Sequence, residues 1–225
     1  METIGCLCFP RAIMPELESV FIADRIKHRV WAEVKWSRLC TPYCDKYKSM
    51  VSNYLASSQV TYHSWTYSIP SAEERKQYYN GSDSSKIIYR HAYLLIRTVI
   101  WKCRNSGYRG PFYILADETG KLGREEYKIT QELLKNDAKI DPPASIDFCN
   151  TGNSTSCGAM QVVDLLTGAV MSQYDEKFSK QDACIDFVEH LTALNNGVPL
   201  TFSSPGFPRL GAQKMQHCLF KPRGL

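Results

Sequence analysis

Hydrophobic residues along the chain change repeatedly between a helical spacing and the alternation typical of strands. Strands are predicted at residues 3–9, 31–36, 60–67, 112–116 and 145–149. Helices are predicted after Pro15 and at residues 43–55, 85–103, 124–135, 159–174 and 179–194. Because helices and strands alternate, the predicted class is α/β, with a mixed sheet flanked by helices. No repeat or domain linker interrupts this pattern, which indicates a single domain over residues 1–225.

Composition restricts the class of protein further. The chain has 225 residues, 44% hydrophobic and 22% charged. These values are average for a globular domain with a sizeable core, and they exclude a wholly disordered, collagen-like or polytopic membrane protein. The absence of a signal peptide and the odd count of 9 cysteines favour a cytoplasmic protein with reduced thiols and no membrane partner.

The net charge of +4 is unevenly distributed. Residues 86–116 include six Lys or Arg residues and no acid, and residues 201–225 include four and no acid. Such stretches could contact phosphates, and the candidate residues in the first are Arg90, Arg97, Lys102 and Arg104. A solvated helix face and a basic tail are the alternative interpretation.

Two adjacent carboxylates, Asp117 and Glu118, directly follow the apolar run FYILA at residues 112–116. A continuous apolar run is typical of a strand covered on both faces. Functional groups in α/β sheets gather beyond the carboxyl ends of strands, so these acids are candidates for chemistry. A plain turn is the alternative, because Asp is common in turns.

Asp164 lies in the most apolar predicted helix of the chain. It belongs to a thin polar stripe of Gln161, Asp164, Thr167 and Gly168, spaced as on one helix face. A carboxylate close to buried surface is costly unless it is paired, hydrogen-bonded or bound to a cation. The alternatives are a metal ligand, a narrow solvent-facing stripe, or a buried ion pair with an arginine such as Arg90 or Arg97.

Glu33 lies in the alternating segment 31–36, on the same predicted strand face as Lys35. A Glu–Lys pair across that face accounts for it without a function. Together with Asp117 and Asp164 it also forms a set of acids suited to Mg²⁺ or Mn²⁺. Two such ions about 4 Å apart can align water and a leaving group at a phosphodiester.

The ordered motifs resemble the domain-of-unknown-function family numbered 3800, whose members have a ribonuclease H-like fold. That family has an opening Asp-Glu-Ser-Gly strand, a Glu-x-Lys-Trp segment, an apolar strand ending in Asp-Glu, and a Gln-x-x-Asp-Leu helix followed by Gly. This chain has EVKW at residues 33–36, ILADE at 114–118 and QVVDLLTG at 161–168. Its first strand, at residues 3–9, resembles the family's second strand, so the opening acidic strand is missing.

The resemblance implies a metal-dependent nuclease that acts on nucleic acid. Asp117 and Asp164 would hold Mg²⁺ or Mn²⁺, Glu33 would be a third ligand or orient water, and Glu118 would be an auxiliary carboxylate. Gln161 would orient the ligands without binding the metal itself. The basic residues of the 86–109 stretch would attract the phosphate backbone. The missing first acid leaves three alternatives. The true start lies upstream of Met1, or a partner supplies the acid, or the chain is a catalytically degenerate module that binds nucleic acid or a protein partner in a mobile element or defence system.

Overall fold

The structure is a computed structural model. It describes residues 1–69, 71–74, 84–108, 111–117, 130, 132–134, 136–137, 145–149, 157–174, 181–201 and 214–220. For residues 84–86, 116–117, 145–149 and 220 it describes the backbone alone.

The chain divides into two compact units. The three-stranded unit comprises Met1–Tyr67 and Ser154–Leu225, and the two-stranded unit comprises Ser68–Asn153. The first contains β1 (Glu2–Cys8), α1 (Met14–His28), α2 (Thr41–Tyr54), β2 (Thr61–Tyr67), α4 (Gly158–Ser172), α5 (Asp182–Leu194) and β5 (Met215–Phe220). The second contains α3 (Ser84–Asn105), β3 (Tyr113–Asp117) and β4 (Ser145–Cys149).

The three-stranded unit is built on a mixed sheet in the order β1-β2-β5. β2 runs antiparallel to β1, with Glu2 opposite Tyr67, and parallel to β5, with Tyr62 opposite Met215. All seven residues of β2 are buried, as expected for a central strand rich in aromatic and β-branched residues.

Helix α4 lies at the centre of this unit, in contact with β1, β2, α1 and α5. Val162, Leu165 and Ala169 are fully buried along it. Its N-terminus is capped from α1, because the Glu18 carboxylate accepts the Gly158 N–H at 2.6 Å and the Ala159 N–H at 3.0 Å. A carboxylate at this end also stabilises the helix dipole, so α4 is held firmly where its polar stripe begins.

Helix α1 matches the predicted helix after Pro15, although its buried face differs in detail. Helical spacing predicts a face made of Leu17, Val20, Phe21 and Ile26. Leu17 and Phe21 are buried, whereas Ile26 is 57% exposed. Asp24 is buried instead, with both carboxylate oxygens accepting the Asn53 amide at 3.1 and 2.8 Å. A charge can enter this interface because its oxygens are satisfied there.

The two-stranded unit pairs β3 and β4 in parallel, with Tyr113 opposite Ser145. Its core includes Ile100 and Leu134, with Tyr93, Ile96, Phe112 and Ile114 packed around them. The expectation that residues 112–116 are covered on both faces is wrong, because Tyr113 is 54% and Leu115 40% exposed. Of the helix predicted at 124–135, the described residues 130 and 132–134 are helical.

Segment 31–36 is the clearest difference from the predicted elements. It is irregular and leads into a 3-10 turn at Trp36–Arg38, rather than forming a strand. The alternation marks burial correctly at Val34, which is fully buried, and at Trp36, which is 7% exposed, but Ala32 of the same predicted face is exposed. Two of its backbone donors, the Val34 and Trp36 N–H groups, bond to side chains of α4 rather than to a neighbouring strand.

The structure is therefore mixed α/β with a small mixed sheet, as predicted at the level of class. The ribonuclease H-like assignment and the single domain over residues 1–225 stay predictions.

Candidate functional site

The polar stripe of α4 faces segment 33–36. The backbone N–H of Val34 donates to Gln161 Oε1 at 2.8 Å, and the backbone N–H of Trp36 donates to Asp164 Oδ2 at 2.7 Å. In an extended segment, alternate backbone N–H groups point the same way. On a helix, side chains three residues apart share a face. The N–H groups of Val34 and Trp36 can therefore reach Gln161 and Asp164, respectively. Segments 127 and 128 residues apart in the chain are thereby joined.

The Trp36 side chain completes this contact. Its ring lies on Gly168, where an added Cβ would fall 2.5 Å from Trp36 Cβ and inside contact distance of the indole ring. The ring also meets Phe187 of α5 edge-on, with centroids 6.0 Å apart. Gly168 is therefore required by the close approach of an indole to the helix backbone, which is a packing reason for the last residue of the motif.

Thr167 uses the remaining position of the stripe. Its hydroxyl lies 3.0 Å from the Tyr62 hydroxyl of β2. Each member of the stripe thus contacts segment 33–36 or the sheet. The arrangement orients the Asp164 carboxylate, because one oxygen is held by a backbone donor.

Asp164 itself is exposed to solvent. The hypothesis of a buried ion pair with an arginine in the core is therefore wrong. Arg97 pairs with Asp137 within the two-stranded unit, at 2.6 Å. An exposed, oriented carboxylate has a lower desolvation cost than a buried one and can approach a cation from solvent.

Glu33 lies beside this contact and forms an ion pair with Lys35 at 2.8 Å. The Glu33 side chain is 12% exposed and that of Lys35 is 41% exposed. The pair predicted from the alternation is confirmed. A role for Glu33 as a metal ligand requires its carboxylate to exchange Lys35 for the cation.

Asp117 is the last residue of β3, opposite Cys149, in the two-stranded unit. Its side chain and the whole of Glu118 lie outside the described residues. The structure therefore brings Glu33, Gln161 and Asp164 into one region. The convergence of Asp117 with Asp164 stays a prediction.

The predicted phosphate-contacting residues of α3 are mostly engaged within the protein. Lys102 is 3% and Arg104 8% exposed. Arg104 donates to the Tyr108 carbonyl at 3.2 Å and lies 5.1 Å from the centroid of the Phe112 ring. Arg97 pairs with Asp137, and Arg90 is the exposed member of the set. Lys102 and Arg104 would have to become exposed to reach a phosphate backbone, so their contact with nucleic acid stays a prediction.

Three side chains of the three-stranded unit form a series of hydrogen bonds that was not predicted from the sequence. Ser64 Oγ lies 3.0 Å from His217 Nδ1, and His217 Nε2 lies 2.8 Å from the Tyr174 hydroxyl. Ser64 and His217 are buried, and burial lowers the pKa of His217 to about 4. These residues are far apart in the chain and share no motif, so no sequence signal indicates them.

His217 makes stability depend on pH. Its folded pKa of about 4 lies below the unfolded value of 6.5, so the unfolded chain binds the proton first as pH falls. We expect the free energy of unfolding to drop between pH 6.5 and 4, by on the order of 3 kcal/mol from this group, and to be unaffected by it above pH 7.

Urea unfolding across this pH range, with His217→Gln and Ser64→Ala, measures the contribution. His217→Gln should flatten the decline. Ser64→Ala removes a partner but keeps the titrating ring, so it should lower stability with the decline retained. Equal declines in wild type and His217→Gln would contradict this assignment.

Within the ranges that the structure describes, no three His, Cys, Asp or Glu side chains are grouped as a metal site would group them. No helix in the same ranges combines the length and hydropathy needed to cross a bilayer. Comparison with known proteins gives no match, whether to a protein-family model, to a curated protein or to a solved structure.

Proposed function

We propose that this chain is a metal-dependent phosphodiesterase that cleaves nucleic acid, with Asp164 as a ligand of Mg²⁺ or Mn²⁺. The main support is the state of the Asp164 carboxylate, which is exposed while one oxygen accepts the Trp36 N–H at 2.7 Å. Carboxylates that bind metal are commonly held in this way by a second hydrogen bond. Oxygen ligands are those that Mg²⁺ and Mn²⁺ prefer.

The contact between segment 33–36 and the stripe of α4 supports reading the two motifs together. In the resemblance, Glu-x-Lys-Trp and Gln-x-x-Asp-Leu belong to one site. Here Gln161 and Asp164 hold the backbone of that same segment. Gln161 is then a positioning residue, which fixes the segment that in turn fixes Asp164.

The other acids keep the roles that the resemblance implies, as proposals. Asp117 is a second ligand, Glu118 an auxiliary carboxylate, and Glu33 a third ligand or a group that orients water. A bound divalent cation neutralises charge at the phosphate and lowers the pKa of its water. This chain's part in the reaction is to present carboxylates in fixed orientations.

Cleavage of labelled oligonucleotides tests the proposal. Single-stranded DNA, duplex DNA and RNA are incubated with the protein and Mg²⁺ or Mn²⁺, beside the same mixture in EDTA and a protein-free blank. We expect shortened products only with protein and metal together. Products that persist in EDTA, or none above the blank on any substrate, would contradict it.

A second candidate is the degenerate module that binds nucleic acid or a protein partner without cutting. The observation that favours it is the structural use of the motif, since Gln161, Asp164 and Gly168 all contact segment 33–36. A fold can keep such residues for packing alone. This candidate predicts salt-sensitive binding that survives joint replacement of Asp117 and Asp164 by Asn.

A further inference from the structure

Trp31 is the most exposed large hydrophobic residue described, at 72%. The chain has four tryptophans, of which Trp36 and Trp65 are each 7% exposed. Trp101 of the two-stranded unit is 52% exposed. An exposed indole is a large, flat, apolar face that a partner can cover.

Arg25 of α1 anchors the loop that presents Trp31. Its Nε donates to the Val30 carbonyl at 3.1 Å, and its Nη2 donates to the Trp31 and Ala32 carbonyls at 2.9 and 3.2 Å. The backbone on both sides of the indole is therefore held to a helix. A ring presented from an anchored backbone loses less entropy when it binds.

Arg29 ends α1 in the left-handed region, at φ 54° and ψ 42°. The Val30 N–H donates to the Arg25 carbonyl and the Arg29 N–H to the Ile26 carbonyl, the bonding of a Schellman turn. Glycine is the usual residue at such a position, because a Cβ there is crowded by the neighbouring backbone. Here an exposed arginine occupies it, which places a cation two residues from Trp31.

The surroundings of Trp31 are strongly basic. Residues 25–38 include five Lys or Arg residues and one acid, Glu33, which is already paired with Lys35. Lys27, Arg29 and Arg38 are exposed. Ile22 and Ile26, four residues apart on one face of α1, add exposed apolar area at 51% and 57%. We call Ile22, Ile26, Lys27, Arg29 and Trp31 the Trp31 surface.

We propose that the Trp31 surface binds single-stranded nucleic acid, with a base stacked on Trp31 and phosphates at Lys27 and Arg29. A flat ring beside cations is complementary to a strand whose base faces are free and whose backbone is anionic. A duplex hides its base faces. This inference rests on the proposed function and assigns single strands as its substrate class.

Fluorescence anisotropy of a labelled oligothymidylate of about 20 nucleotides tests it, in EDTA and at roughly 50 and 200 mM salt. Trp31→Ala should weaken binding about tenfold or more, and Trp31→Phe by less. Trp101→Ala is the matched control, since it removes another exposed indole, and it should change affinity by no more than about twofold.

Arg29→Gly separates binding from folding. Glycine relieves the left-handed backbone, so the melting temperature should not fall, while affinity should weaken and its salt dependence should become shallower. Unchanged binding in Trp31→Ala, or an equal loss in Trp101→Ala, would overturn the proposal. The proposal would also be overturned if Trp31→Ala changed only binding to anionic vesicles, or only self-association measured by sedimentation.

Because EDTA prevents metal-dependent cleavage, the two proposals fail separately. If wild type cuts with metal and Trp31→Ala binds like wild type, the proposal for the Trp31 surface fails and the nuclease proposal stands. If Trp31→Ala loses binding and wild type does not cut in any metal, the nuclease proposal fails and the single-strand binding surface stands.

Discussion

Replacing Asp164 by Asn should reduce metal-dependent cleavage by roughly 100-fold or more. The melting temperature of the metal-free protein should stay close to that of wild type. An amide oxygen can still accept the Trp36 N–H, so segment 33–36 remains docked. The amide lacks the charge that a divalent cation needs, so the loss falls on metal-dependent chemistry and spares the fold.

Two further variants define this result. Asp164→Ala removes the acceptor as well as the charge, so it should cost about 1.5–3 kcal/mol of stability in addition to the activity. Glu189→Gln removes another exposed helical carboxylate, on α5, and should leave cleavage unchanged. Equal cleavage by Asp164→Asn and wild type would remove Asp164 from the reaction.

Gly168→Ala should destabilise the protein by about 2–3 kcal/mol, although alanine is the better helix former. The added Cβ would lie 2.5 Å from Trp36 Cβ and still closer to the ring, so the indole or the helix must move. Trp36 cannot move freely, because its ring also packs on Phe187 and its backbone N–H is bonded to Asp164.

The double variant gives the sharper test. In a Trp36→Gly background both the indole ring and the Trp36 Cβ are gone, so Gly168→Ala should stabilise the protein by about 0.5–1 kcal/mol through helix propensity. Urea unfolding of the four proteins measures this reversal of sign. The same cost of Gly168→Ala in both backgrounds would show that Trp36 is not what excludes a side chain there.

Segment 31–36 shows what hydrophobic alternation predicts and what it leaves open. The period of two correctly indicates that Val34 and Trp36 share a buried face and that Glu33 and Lys35 share the other. It does not indicate what accepts the backbone N–H groups. A neighbouring strand and the side chains of Gln161 and Asp164 satisfy them equally well, and only the second is present.

The stripe on α4 was predictable as a stripe, because three- and four-residue spacing places its members on one face. Its partner was not, since the contact joins residues 128 apart in the chain. The burial of Asp24 and the Ser64–His217–Tyr174 chain were missed for the same reason. Each depends on a tertiary partner that local patterns do not specify.

The basic stretch of α3 shows the limit of charge counting. Lys102 and Arg104 are basic residues without nearby acids in the sequence, yet both are buried. Long side chains can pack along apolar surface and direct their charged ends to carbonyls or rings, as Arg104 does at Tyr108 and Phe112. The exposed basic residues around Trp31 lie in a shorter stretch, which counting basic residues along the sequence did not identify.

Binding of Mn²⁺ to the intact protein tests the central claim most directly. Calorimetry and thermal melts compare wild type, Asp164→Asn and Glu189→Gln, each titrated with Mn²⁺ in the absence of nucleic acid. The account predicts that Mn²⁺ binds and raises the melting temperature of wild type and Glu189→Gln, and does neither for Asp164→Asn. Equal binding by all three proteins, or by none, would contradict a cation held at Asp164.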